Sequence, residues 1–124
     1  MNTTSQANKL FAETEKVGLI PVLRQFGNGL RFRIPMSQGF WDSSIDNLNL
    51  SVRARNGLMR ARAATIGETA ELIMSEGGLE AVRNLGRKSV AEIKTAILVE
   101  AYQQLGSTAR LAFWEHFVEN NNIA

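Results

Sequence analysis

Apolar residues recur at helical spacing through the middle of the chain. Val90, Ile93, Ile97 and Ala101 return every three or four positions and would form one stripe of a long helix. Ser89 and Glu92 stand before that stripe at capping-box spacing, so the helix is expected to open at Ser89, hydroxyl and carboxylate each accepting from an orphan N–H. Thr65-Ile66-Gly67-Glu68 repeats the spacing and predicts a helix to about Met74 that buries Ile66, Ala70 and Ile73. Ser51 suits the N-cap of an earlier helix reaching about residue 62, with Val52, Leu58 and Met59 as its apolar side. Between these, Gly77-Gly78 breaks the pattern, and a short helical turn presents Leu79 and Val82.

The flanks are less regular. A short helix over residues 5–17 is expected to stop at Gly18. Phe26-Gly27-Asn28-Gly29-Leu30 reads as a turn, because Gly and Asn tolerate positive φ. Leu30, Phe32 and Ile34 alternate with Arg31 and Arg33, which predicts a short strand ending at Pro35. After Gly106 a helix restarts at Ser107 and Thr108, carries Leu111, Phe113, Trp114, Phe117 and Val118, and ends in Asn120-Asn121-Asn122. So many large apolar groups need a cover: they either pack on the preceding residues or form a partner surface. The pattern divides the sequence into a leader with a short helix and hairpin (1–42), an all-α domain (43–105) and a C-terminal helix (106–124).

Composition removes several chemistries. With 44% apolar residues in 124, the protein has enough to bury a core without a staple, and the absence of cysteine excludes disulfides and thiol catalysis and fits a reducing compartment. The N-terminal residues lack the basic start and apolar run of a signal peptide, and no stretch reaches the roughly 20 apolar residues of a membrane span, so a cytoplasmic protein without membrane contact is expected. His116 is the single histidine, set among Trp114, Glu115 and Phe117, and reads as a packing or surface residue. That excludes a zinc site of the usual nitrogen and sulfur type. Gly27-Asn28-Gly29 lacks the Lys-Ser/Thr of a phosphate-binding loop. No catalytic residue, metal, cofactor or small-molecule substrate is expected, and the sequence reads as a non-enzyme.

Net charge is only +2, but its distribution is uneven. Arg53, Arg55, Arg60 and Arg62 share a segment with no acid, and Arg83, Arg87, Lys88 and Lys94 share one whose lone acid is Glu92. If those segments fold side by side, the domain has a positive face that the net charge hides. Residues 79–93 read as a helix-hairpin-helix, with a tight turn at Leu85-Gly86 and a second helix from Ser89. A turn that runs into a helix N-terminus aims free N–H groups one way, where the dipole also favours an anion. Gly86 would let a phosphate oxygen approach the backbone, and Arg87 and Lys88 add charge. Such a hairpin binds a phosphodiester backbone without reading sequence.

Three segments carry a specific resemblance. Asn84-Leu85-Gly86-Arg87-Lys88-Ser89 with Glu92-Ile93, Leu50-Ser51-Val52-Arg53 with Asn56, and Thr65-Ile66-Gly67-Glu68 occur in the order found in the C-terminal domain of the bacterial RNA polymerase alpha subunit. Ile45-Asp46-Asn47-Leu48 resembles the segment that wraps that fold. The resemblance covers about 60 residues. It implies an all-α fold with helix-hairpin-helix-like units that contacts the minor groove and backbone of A/T-rich double-stranded DNA in transcription. It places Arg53 in the minor groove, with Asn56, Gly57, Gly86, Lys88 and Ser89 on phosphates and sugars. Glu92 and Arg87 become protein or DNA contacts. The alternative is a protein-interaction module whose partner is RNA polymerase, a sigma factor or an elongation factor. Several features depart from the family. Gly57 replaces a common cysteine, two extra residues sit near Gly77-Gly78, and Asn47 and Asn49 stand where acids that meet sigma factor are common. No alpha assembly domain precedes the motifs, so a stand-alone relative or a fragment is expected.

Overall fold

The computed structural model describes residues 3–27 and 30–123. Helices α1 (Thr3–Val17), α2 (Leu19–Arg24), α3 (Gln38–Trp41), α4 (Val52–Arg60), α5 (Ile66–Met74), α6 (Arg87–Gln104) and α7 (Ser107–Asn120) follow one another, with short 3-10 turns at Ile45–Leu48 and Gly78–Ala81. The expected all-α class is what the protein adopts; among the described residues the only β pairing is an isolated bridge between Ser44 and Thr65. Two compact units result, one of residues 36–100 and one that joins 1–35 to 101–124. The hydropathy pattern predicts these divisions at 42/43 and 105/106.

In the contiguous unit, most helix ends have a local cause. The Ser51 hydroxyl accepts from Ala54 N–H at 3.3 Å and starts α4. Thr65 and Glu68 form the expected capping box at the start of α5. Helix α4 ends at Arg60, two residues early, because Arg62 turns into the left-handed region (φ 62°). Arg62 N–H then donates to Met59 O and Ala63 N–H to Leu58 O, the paired bonds of a Schellman end with arginine where glycine is usual. The core is mainly aliphatic: Ile45, Leu58, Ile66, Leu79 and Ile93 are fully buried, with Phe40 the buried ring beside them in the same unit. Trp41 lies against Gly67, where a Cβ would run into the indole. The buried face of α4 differs from expectation. Ala54, Gly57 and Leu58 face inward, whereas Val52 is 75% exposed and Met59 43%. A nine-residue helix with one buried stripe has no room inside for apolar groups on its flank.

The other unit adds aromatic rings from distant parts of the sequence to the buried Leu10, Leu19, Val22 and Leu23 of α1 and α2. Phe113, Trp114, Phe117 and Val118 of α7 are buried, Leu111 is half-buried, and α7 packs on α1. The apolar tail is therefore covered from within. Phe26 meets Phe117 edge-on with centroids 5.3 Å apart, and Phe32 meets Phe113 at 5.7 Å. The Trp114 indole donates to the Tyr102 hydroxyl at 3.1 Å. Helix α1 stops as expected at Gly18 (φ 94°).

The strand expected over 30–34 does not form. Exposure does alternate from Leu30 to Ile34, but among the described residues no neighbouring strand offers a ladder. One side chain substitutes in part: the Asn121 amide accepts from Arg31 N–H at 2.9 Å and donates to Arg31 O at 2.8 Å. The turn expected at residues 26–30 has Asn28 and Gly29 outside the described residues.

Candidate nucleic-acid interface

Helix α4 places Arg53, Asn56 and Arg60 at i, i+3 and i+7, one stripe of its surface. With Asn84, Leu85 and Gly86 they line a shallow open depression in the contiguous unit. Arg53, Asn56 and Arg60 are exposed, and among the described residues neither arginine pairs with an acid. Arg55, by contrast, is engaged by Asp46, and that hydrogen bond holds the Asp46 carboxyl below the usual carboxylate range and raises the guanidinium's own pKa. Lys94 likewise pairs with Glu80 at 2.8 Å, and the ammonium lowers the Glu80 pKa. Of the cations counted along the sequence, then, two are internally matched.

The hairpin departs from expectation in two respects. The left-handed residue of the turn is Asn84 (φ 65°), while Gly86 does not have positive φ and a Cβ there would meet nothing within 4 Å. An asparagine makes the turn because its short polar side chain tolerates that region, and Gly86 leaves open space above the backbone. Second, α6 begins at Arg87, so Ser89 lies inside its first turn and is only 5% exposed. The expected Ser89–Glu92 capping box is absent. Both Glu92 oxygens are engaged elsewhere: Oε2 accepts from Ser51 N–H at 2.6 Å and Oε1 from Ser51 Oγ at 2.8 Å. Among the described residues, no side chain accepts from the first amides of α6. That leaves donors, the helix dipole and the exposed Arg87 and Lys88 together at one end.

The other expected residues divide accordingly. Gly57 is buried, and a Cβ on it would lie 2.5 Å from Leu85 Cδ1, so its role is to let α4 approach the hairpin. Lys88 is exposed but does not line the depression. Arg60 and Asn84 do, although the motifs alone did not single them out. The seven-residue interval from Arg53 to Arg60 was the available signal for Arg60. A separate, larger groove in the discontinuous unit is lined by Leu30, Phe32, Ile34, Ala109, Ala112 and His116, among others.

Comparison with known proteins places the family match in the contiguous unit. Residues 36–98 match the family model for the C-terminal domain of the bacterial RNA polymerase alpha chain. The protein is 36% identical over 107 residues to the DNA-directed RNA polymerase subunit alpha of Roseiflexus castenholzii, covering 86% of its own length and 29% of that relative's. It is 52% identical over 50 residues to the alpha subunit of Ureaplasma parvum, covering 40% and 15%. With the alpha subunit of Aquifex aeolicus it shares 44% over 54 residues, covering 44% and 16%. It thus spans less than a third of the length of these relatives. No solved structure matches it. By its motifs, its helical fold and this match over residues 36–98, the protein belongs to the family of C-terminal domains of the bacterial RNA polymerase alpha subunit.

Proposed function

We propose that this protein is a DNA-binding, transcription-associated module that works in the bacterial cytoplasm, and that it binds without catalysing a reaction. It contacts the minor groove and phosphate backbone of A/T-rich double-stranded DNA. The observation that supports this most is the stripe of Arg53, Asn56 and Arg60 on one depression with the Asn84–Gly86 turn. A narrow A/T minor groove concentrates negative potential, and an unpaired arginine on a rigid helix gains most there. The open amides at the start of α6, with Arg87 and Lys88, suit a phosphate. Asn56 and Asn84 can donate to sugar or base acceptors beside it. Protein partners such as RNA polymerase or a sigma factor are a second, compatible reading, favoured by the larger groove of the discontinuous unit, where Phe32, Ile34 and Phe113 stand beside Arg31 and Arg33.

The test is fluorescence anisotropy on A/T-rich and G/C-rich duplexes of equal length. Three or four phosphate contacts imply a log–log salt slope of about −3 for the wild type. Arg53→Ala should weaken the A/T duplex more than the G/C duplex, whereas Lys88→Ala should weaken both alike, since a phosphate contact carries no sequence information. Both side chains are exposed, so each change should alter stability by less than about 0.5 kcal/mol. A folded double variant that binds both duplexes as the wild type does would remove the DNA reading and leave the protein-interaction module.

A further inference from the structure

Resting on that DNA reading, we propose that Glu92 is a positioning residue for Arg53: from α6 it closes the N-terminus of α4 and so sets the arginine's approach to the minor groove. In a local capping box the residue three after the cap supplies a carboxylate to the cap's own N–H, as Glu68 does for Thr65. The corresponding residue of α4 is Ala54, which has none to offer. Glu92, 41 positions away, supplies it instead, with Ser51 N–H at 2.6 Å and Ser51 Oγ at 2.8 Å. The Ser51 hydroxyl at the same time accepts from Ala54 N–H. One carboxylate thus ties the cap of α4 to α6, and Arg53 stands two residues beyond that cap.

Two consequences follow for an approaching duplex. The positive end of α4 is already occupied by an internal carboxylate, so an incoming phosphate is directed to the uncapped start of α6. And because the helix that carries Arg53, Asn56 and Arg60 is pinned at its N-cap, the backbone from which the guanidinium extends has little freedom to lose on binding. A carboxylate this close to a DNA face would, by charge alone, oppose binding. A positioning role predicts the opposite sign, which makes the two separable.

The experiment measures both duplexes with the wild type, Glu92→Ala, Glu92→Gln, Arg53→Ala and the Arg53→Ala/Glu92→Ala double variant. Glu92→Ala should lower A/T affinity by between about twofold and tenfold, the range one hydrogen bond commands, with a smaller loss on G/C DNA. Glu92→Gln keeps an acceptor for Ser51 N–H and should largely restore the A/T preference. In the Arg53→Ala background, Glu92→Ala should change the preference no further. Amide exchange in the DNA-free protein should quicken at Ser51 and Ala54 in Glu92→Ala and not in α5. Simple partial unfolding would lower both affinities by the same factor, and that result overturns the proposal. So does tighter binding by both Glu92 variants, which would make the residue an electrostatic brake. A wild type that binds neither duplex, or binds both alike, removes the DNA reading itself; normal wild-type preference with an indifferent Glu92→Ala removes only the role of Glu92.

Discussion

The two units solve the same problem by different means. Residues 36–100 are contiguous, their core is mainly aliphatic, and most of their helix starts are fixed by side chains within one turn. The discontinuous unit joins residues 1–35 to 101–124, and its core sets Leu10, Leu19, Val22 and Leu23 beside the buried rings of Tyr102, Phe113, Trp114 and Phe117, with half-buried Phe26 and Phe32 against those rings. The difference teaches where stability is concentrated. A unit built from local devices spreads it over many small contributions. A unit closed by distant segments must overcome a larger ordering cost, and large rings that each bury much surface are the efficient way to do so.

This contrast can be broken most forcefully at Trp114, which is fully buried and donates to Tyr102. Trp114→Ala should cost about 3–5 kcal/mol, measured by urea denaturation. A loss below about 1 kcal/mol would mean that the ring cluster does not concentrate the stability of its unit.

A smaller effect is expected at Thr65, whose hydroxyl and Glu68 make one of the local devices of the contiguous unit. Thr65→Ala should cost about 1 kcal/mol, since Glu68 keeps its bond to the Thr65 N–H while the Glu68 N–H loses its acceptor. If this single cap proved as costly as Trp114, stability in the contiguous unit would be concentrated after all.

The mildest probe is alkaline pH. Burial raises the Tyr102 pKa above its ordinary value, the Trp114 indole opposing this in part. A phenol whose folded pKa is raised contributes stability that is fully present below the unfolded pKa and is lost as pH rises through the folded one. Thermal melts should therefore fall above about pH 10, and Tyr102→Phe should flatten that fall. Phenolate absorbance at an ordinary tyrosine pKa in the folded protein would contradict the buried setting of this ring.

What the sequence determined by itself is what near neighbours settle between themselves. Thr65 with Glu68, Ser51 before Val52, and Gly18 after α1 each lie within one turn of the backbone groups they satisfy, so spacing alone located them. The family was legible for the same reason: Asn84 to Ser89 and Leu50 to Asn56 are short runs read whole. Spacing could not tell which of two possible partners a side chain takes. Ser89 and Glu92 have capping-box spacing, yet α6 starts two residues earlier and the carboxylate goes to Ser51. Asn121 pairs with Arg31 across 90 positions and stands where a second strand was needed. Val52 and Met59 looked like core until packing left a single inward stripe on α4. For Glu92 and Asn121 the deciding partner lies far away in the sequence. Closing the intervening loop is an entropic cost that only the assembled core can offset, so the choice belongs to the tertiary structure and leaves no local trace.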